Sequence, residues 1–185
     1  MRRLRARLVS EESGYTMIEL LTAMGILGIV MTSLTTVLVS ATNADVRMNQ
    51  NFQAQTQARM ALDKFRREGH AACRADPAGS TTSITLTFIT TGSCPASGGR
   101  QVSWCTVAAG ASRYGLFRAT GATCDGTAVK VADYLTVAGA FNYQTTSQQR
   151  PKIAVSFPVN PYPNSGRGTY RLDGDVVLRN ANRSA

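Results

Sequence analysis

The chain has 185 residues, a net charge of +9 and a single histidine, His70. That length allows one domain with a modest core, not a large multidomain enzyme. One histidine and no CxxC pair argue against the common zinc sites, and leave any Ser-His-Asp arrangement dependent on His70 alone. The excess charge favours polyanions as partners, but also describes an ordinary solvated basic surface.

The first stretch, residues 1–14, carries Arg2, Arg3, Arg5 and Arg7 against Glu11 and Glu12, a local balance of +2 that leaves +7 for the rest. From Leu20 to Ala41 there is neither a charge nor a proline. A helix needs about 20 apolar residues to cross a bilayer, so this run predicts a membrane-spanning helix. The arginines before it place the N-terminus in the cytoplasm by the positive-inside rule. A cleaved secretory signal fits less well: its apolar region is shorter, and Ser40-Ala41-Thr42 is a poor cleavage site. Glu19 stands at the cytoplasmic edge of the run. A carboxylate near hydrocarbon is costly without a partner, which marks it as a functional residue. The bland alternative keeps it at headgroup level.

The residues Gly14-Tyr15-Thr16-Met17-Ile18-Glu19-Leu20 resemble the prepilin leader motif of type IV pilins. The resemblance implies cleavage by prepilin peptidase between Gly14 and Tyr15, N-methylation of Tyr15, and Glu19 at the acidic fifth mature position. It further implies that Glu19 meets the N-terminal amine of a neighbouring subunit during assembly. Tyr15 departs from the usual phenylalanine. The span also lacks the mid-helix proline of many major pilins, and Gly25 and Gly28 are its only weak points, which leans toward a minor pilin or pseudopilin.

Beyond the span, Asn43 to about Ala72 reads as a continuation of the same helix. There is no Pro or Gly from Asn43 to Glu68, and Ala54, Ala58, Ala61, Leu62 and Phe65 form one apolar stripe at spacings of three and four. Gly69 and His70 loosen the end, and Pro77 forbids continuation. The whole helix from Tyr15 is then about 85 Å long at 1.5 Å per residue. The expected organisation is leader 1–14, membrane and filament-core helix 15–41, amphipathic helix 42–72, and a β-rich domain 73–185. The fold class is α+β: a long helix packed on a small antiparallel sheet.

Strands are expected at 83–90, 101–108, 114–119, 140–145, 152–157 and 169–178, with Asp173-Gly174-Asp175 breaking the last as a turn or bulge. The segments ALDKFRREGHAAC, YLTVAGAFNYQ, KIAVSFPV and YRLDGDVVLRNA resemble minor pilins similar to PulJ and PilW. The four cysteines lie after the span, consistent with disulfides in an oxidising compartment. A meander of the first three strands favours Cys73–Cys105 with Cys94–Cys124; Cys73–Cys94 with Cys105–Cys124 is the close competitor.

No catalytic constellation, cofactor motif or metal set stands out. Asp173 and Asp175 with Asn164 have calcium-type ligands, but a turn is the simpler reading. Trp104, Tyr114 and Phe117 beside Arg113 and Arg118 offer an aromatic surface, or more simply core packing on alternate strand residues. The expected function is that of a minor type IV pilin or type II secretion pseudopilin. Such a subunit sits in the inner membrane and then in a surface or periplasmic filament, and primes or caps assembly. It is not an enzyme and needs no cofactor. Its expected partners are prepilin peptidase, other pilins through the N-terminal helix, and an inner-membrane assembly platform. The alternative is a pilus-borne binding module, for instance one that holds DNA in a competence machine.

Overall fold

A computed structural model describes residues 14–90, 92–95, 98–145, 150–166 and 168–181. Among the described residues one helix, α1 (Met17–Ala71), is followed by nine strands. The chain divides into two compact units, residues 1–47 and 48–185.

In the first unit α1 is long and apolar enough to cross a membrane. It is rich in hydroxyl residues, which would be expensive in hydrocarbon if left open. Thr22, Thr32, Ser33, Thr35 and Thr36 each donate to a carbonyl three or four residues back, at 2.7–2.9 Å. These polar groups are therefore satisfied inside the helix, as a bilayer requires.

In the second unit Ala54, Ala58, Ala61, Leu62, Phe65 and Gly69 are the buried residues of α1. Their spacing puts them on one stripe, as the sequence periodicity predicts. The strands are β1 (Ala72–Asp76), β2 (Gly79–Thr81), β3 (Ser83–Phe88), β4 (Gln101–Gly110), β5 (Arg113–Thr120), β6 (Val129–Leu135), β7 (Phe141–Gln144), β8 (Lys152–Val159) and β9 (Tyr170–Val177). They form one antiparallel sheet in the order β1-β3-β4-β5-β6-β8-β7-β2, with β9 on the other side of β8. β1 and β2, the two ends of that order, are separated in sequence only by Pro77 and Ala78. The sheet therefore curls so that its ends approach, and the Tyr143 hydroxyl on β7 comes near Ala75 and Asp76 of β1. Burial, then the nearby Asp76, push the Tyr143 hydroxyl above its ordinary pKa. Phe65 of α1 fills the curl, edge-on to Trp104 of β4 at 5.5 Å and tilted against Phe141 of β7 at 5.3 Å.

The aromatic surface considered for Trp104 is not present, because Trp104 is fully buried. Its indole N–H donates to Glu68 Oε2 at 2.8 Å, and the Arg118 guanidinium holds Glu68 Oε1 at 2.8 Å. Helix and strands β4 and β5 are thereby tied by one carboxylate. Gly69 does not loosen α1; the helix runs on to Ala71, and a Cβ at Gly69 would lie 2.5 Å from Val176 Cγ1. The glycine lets α1 and β9 approach. His70 Nδ1–H donates to the Val177 carbonyl at 2.9 Å, and Asn180 Nδ2 caps the Ala71 carbonyl at 2.9 Å.

Two further expectations need correcting. Asp173-Gly174-Asp175 is not a turn or bulge: β9 pairs with β8 in unbroken register, Gly174 opposite Val155. The disulfides are Cys73–Cys94 and Cys105–Cys124, not Cys73–Cys105 and Cys94–Cys124. The assumed meander missed two local features. β1 exists, and its irregularity at Cys73 sets that residue beside the end of β3, six residues before Cys94. After β5 the chain folds back over β3 and β4. The Ser103 hydroxyl donates to the Gly121 carbonyl at 2.8 Å and Thr85 Oγ1 to the Ala122 carbonyl at 3.0 Å, which brings Cys124 to the Cys105 face. Each bridge closes a loop of about 20 residues, a length for which chain entropy gives about 3 kcal/mol.

Candidate processing and assembly segment

Gly14, Tyr15 and Thr16 precede the first helical residue, Met17. The Thr16 carbonyl accepts the Glu19 N–H at 3.0 Å and the Leu20 N–H at 3.2 Å, which opens the first turn. The Gly14–Tyr15 peptide bond thus lies outside the helical hydrogen-bond ladder. Nothing lies within 4 Å of a Cβ built on Gly14, and Tyr15 is 83% exposed. Among the described residues, nothing covers this bond.

Glu19 is exposed in the first turn of α1. Among the described residues no ion pair engages it. Its placement near the helix N-terminus is favourable, since the unpaired N–H groups there carry partial positive charge. C-terminal to it, the large apolar side chains from Leu20 to Val39 stand in the open, and even the least exposed, Val30, is 45% exposed. The arrangement is a single carboxylate at the head of an uncovered apolar cylinder. It has a charge to satisfy and a surface to bury, and among the described residues no ion pair and no burial serve them.

The family model for the prokaryotic N-terminal methylation motif matches residues 10–35, which include Gly14, Tyr15 and Glu19. The chain carries a prepilin methylation motif on a pilin-like fold. That motif implies processing by prepilin peptidase and assembly with other pilins, and with the apolar helix it fits an inner-membrane anchor. Comparison with curated proteins and with solved structures finds no significant match.

The other residues singled out from sequence lie in structural roles. Asp173 and Asp175 stand on β9, paired with Arg171 at 3.0 Å and Lys152 at 2.9 Å. The Ser156 hydroxyl, then Arg171, hold the Asp173 carboxyl below its usual range. Arg113 reaches Asp133 through two bonds, 3.2 and 2.9 Å, with its guanidinium 4.1 Å from the Tyr134 ring. Burial opposes ionisation of Asp133, but Arg113, the Tyr134 backbone N–H and Lys130 outweigh it and bring the carboxyl down to about 2. Tyr134 takes a left-handed φ of 66°, and its carbonyl accepts the Asn160 N–H at 2.9 Å. Asp133 therefore holds a strained residue where β6 passes from β5 to β8. Sequence reading missed this cluster because β6 has no alternating apolar pattern; the KVADY charges were the only signal.

Proposed function

We propose that this protein is a minor type IV pilin or type II secretion pseudopilin, a structural subunit that primes or caps a filament. In this reading prepilin peptidase removes residues 1–14, Tyr15 becomes an N-methylated terminus, and residues 15–41 are held first by the inner membrane and then by neighbouring helices. The remaining segments are the amphipathic helix 42–72 and the domain 73–185, carried to the periplasm or cell surface. Glu19 pairs with the Tyr15 amine of an adjacent subunit, which sets register. An assembly platform in the inner membrane drives the transfer. The observation that carries the reading is the methylation motif over residues 10–35 heading an exposed helix long and apolar enough to cross a membrane. The proline-free span supports a minor rather than a major subunit.

The test is mass spectrometry of the chain co-expressed with a prepilin peptidase. The expected product begins at Tyr15 and carries one methyl group, and Gly14→Val leaves the leader in place. A Gly14→Val chain that still begins at Tyr15 overturns the processing assignment. Glu19→Ala is expected to be processed normally yet fail to enter filaments; equal incorporation overturns the register role.

A further inference from the structure

β9 pairs with β8 alone, so among the described residues no strand lies against its outer edge. The register decides which backbone groups that edge presents. The Leu178 N–H donates to the Pro151 carbonyl at 3.0 Å, one step beyond the Lys152–Val177 pair. In an antiparallel ladder successive residues turn their N–H and C=O groups to opposite sides. Leu172, Gly174 and Val176 therefore bond to β8, and Arg171, Asp173 and Asp175 face outward. The Val177 carbonyl, in the same outward row, accepts His70 of α1 at 2.9 Å. An edge of eight residues with no proline and no bulge is open to further pairing.

α1 makes this edge one wall of a groove. Arg59 reaches the Tyr170 hydroxyl at 2.9 Å, and Arg66 lies over Gly174, where an added Cβ would come within 2.7 Å of its guanidinium. The helix thus runs beside β9, and the groove between them has a volume of about 380 Å³. Leu62, Tyr170 and Leu172 give it apolar lining. Asp63 holds Arg66 at 3.6 Å. Arg59 meets the neutral Tyr170 hydroxyl and ring, and among the described residues no ion pair engages it.

We propose that this groove binds an extended segment of another polypeptide, which adds to β9 as a strand. Backbone bonds to Arg171, Asp173 and Asp175 hold the segment, and its alternate side chains point toward α1. The groove calls for an apolar side chain against Leu62 and Leu172 and an acidic one at Arg59. A second copy of β9 does not supply this. An antiparallel pair keeps both inner faces on one side, and Tyr170, Leu172, Gly174 and Val176 bring no carboxylate to Arg59. The inference goes beyond the filament role and does not depend on it.

The experiment pans a displayed library of random dodecapeptides on the full chain in uncharged detergent micelles, after removal of peptides that bind empty micelles. Enriched peptides are expected to carry an acidic residue two positions from an apolar one, the spacing of one strand face. They are remade with blocked ends and titrated by fluorescence anisotropy. Asp173→Pro removes one outward N–H and leaves the β8 ladder intact, and is expected to weaken binding at least about tenfold. Asp173→Ala loses the same carboxylate but keeps the N–H, and is expected to change affinity by less than about threefold. Arg59→Gln is expected to weaken binding about tenfold. N-methylation of alternate peptide amides is expected to abolish binding in one phase and spare it in the other, which tests strand pairing without altering the protein. Thermal melting checks the fold of each variant. Failure to enrich any peptide overturns the proposal. So do peptides that bind a folded Asp173→Pro chain as tightly as wild type, and peptides indifferent to N-methylation in both phases. Dimers of the full chain that Asp173→Pro dissolves assign the edge to a second copy, which also overturns it.

Discussion

The two halves of α1 share a backbone conformation and differ in what covers them. From Leu20 to Val39 the large apolar side chains are exposed on all sides, whereas from Ala54 to Gly69 a narrow stripe is buried and the remaining faces are polar apart from Met60. The stripe consists mostly of alanine and glycine, with Leu62 and Phe65 as its only large members. Small residues allow close approach to strands, and one aromatic fills the curl of the sheet. The span offers no such narrowing: its large apolar side chains are exposed all round. The difference teaches that helix propensity says nothing about partnership. The width of the apolar stripe does.

The comparison breaks most sharply at one residue in each half. Phe65→Ala removes a fully buried ring in contact with Trp104 and Phe141, and is expected to cost about 3–5 kcal/mol. Leu27→Ala, at a side chain 56% exposed, is expected to move the unfolding of the domain by less than about 0.5 kcal/mol in detergent. Denaturant titration read by Trp104 fluorescence checks both. A comparable loss in the two variants would mean that the halves are not energetically distinct.

Glu68→Ala comes next, at about 2–3 kcal/mol. It strips the indole N–H of Trp104 and the Arg118 guanidinium of their shared acceptor, and Glu68 and Arg118 side chains are only 17% and 20% exposed. A half-buried cation without its partner is the larger part of that cost. Glu68→Gln keeps an acceptor for the indole and is expected to recover part of it. Equal stability of wild type and Glu68→Ala, by the same titration, would assign the helix–sheet contact to apolar packing alone.

Much of this organisation is legible in sequence because it rests on period and length. The span announces itself by 22 residues without charge or proline, and the stripe Ala54-Ala58-Ala61-Leu62-Phe65 by its spacing. Six strands appear close to their expected places, since SITLTF and KIAVSF alternate openly. Three strands do not announce themselves. β1 and β2 are short and glycine- or alanine-containing, and β6 is bent around Asp133 and Tyr134, so its pattern is broken where its role is greatest. The disulfide pairing depended on those missing pieces. Glu68 reads as one more exposed helix charge until Trp104 and Arg118 are placed opposite it. The processing segment was legible as a motif, and it has almost no tertiary structure to add: Gly14, Tyr15 and Glu19 are exposed, and among the described residues no ion pair engages Glu19.

Acid sensitivity should also separate the halves. The Asp133 carboxyl titrates at about 2 in the fold, below its ordinary 3.8. A depressed carboxylate pKa gives stability that is complete above the unfolded pKa and is lost as pH falls through the folded one. The expected loss is therefore about 2 kcal/mol between pH 4 and pH 2, taking about 1.4 kcal/mol per pKa unit. The near-ultraviolet signal of the domain should weaken across that window while the far-ultraviolet signal of the apolar helix persists in detergent. Asp133→Asn is expected to flatten the dependence, and an unchanged slope in that variant would place the acid sensitivity elsewhere.

The smallest effect is the most pointed test of the stripe. Gly69→Ala should strengthen the helix by about 1 kcal/mol on propensity alone. The added methyl, however, meets Val176 Cγ1 at 2.5 Å, and overpacking of this kind costs about 1–3 kcal/mol. The expected net is a destabilisation of about 1 kcal/mol. Val176→Ala makes room at the same contact, so the double variant should lose less than the sum of the two singles, with a coupling of about 1 kcal/mol in a double-mutant cycle. At Gly25 or Gly28, where nothing lies within 4 Å of an added Cβ, the same change to alanine should stabilise the isolated chain. If Gly69→Ala behaved like those two, α1 would not be held against β9 at Gly69, and the second half of the helix would be less distinct from the first than its burial indicates.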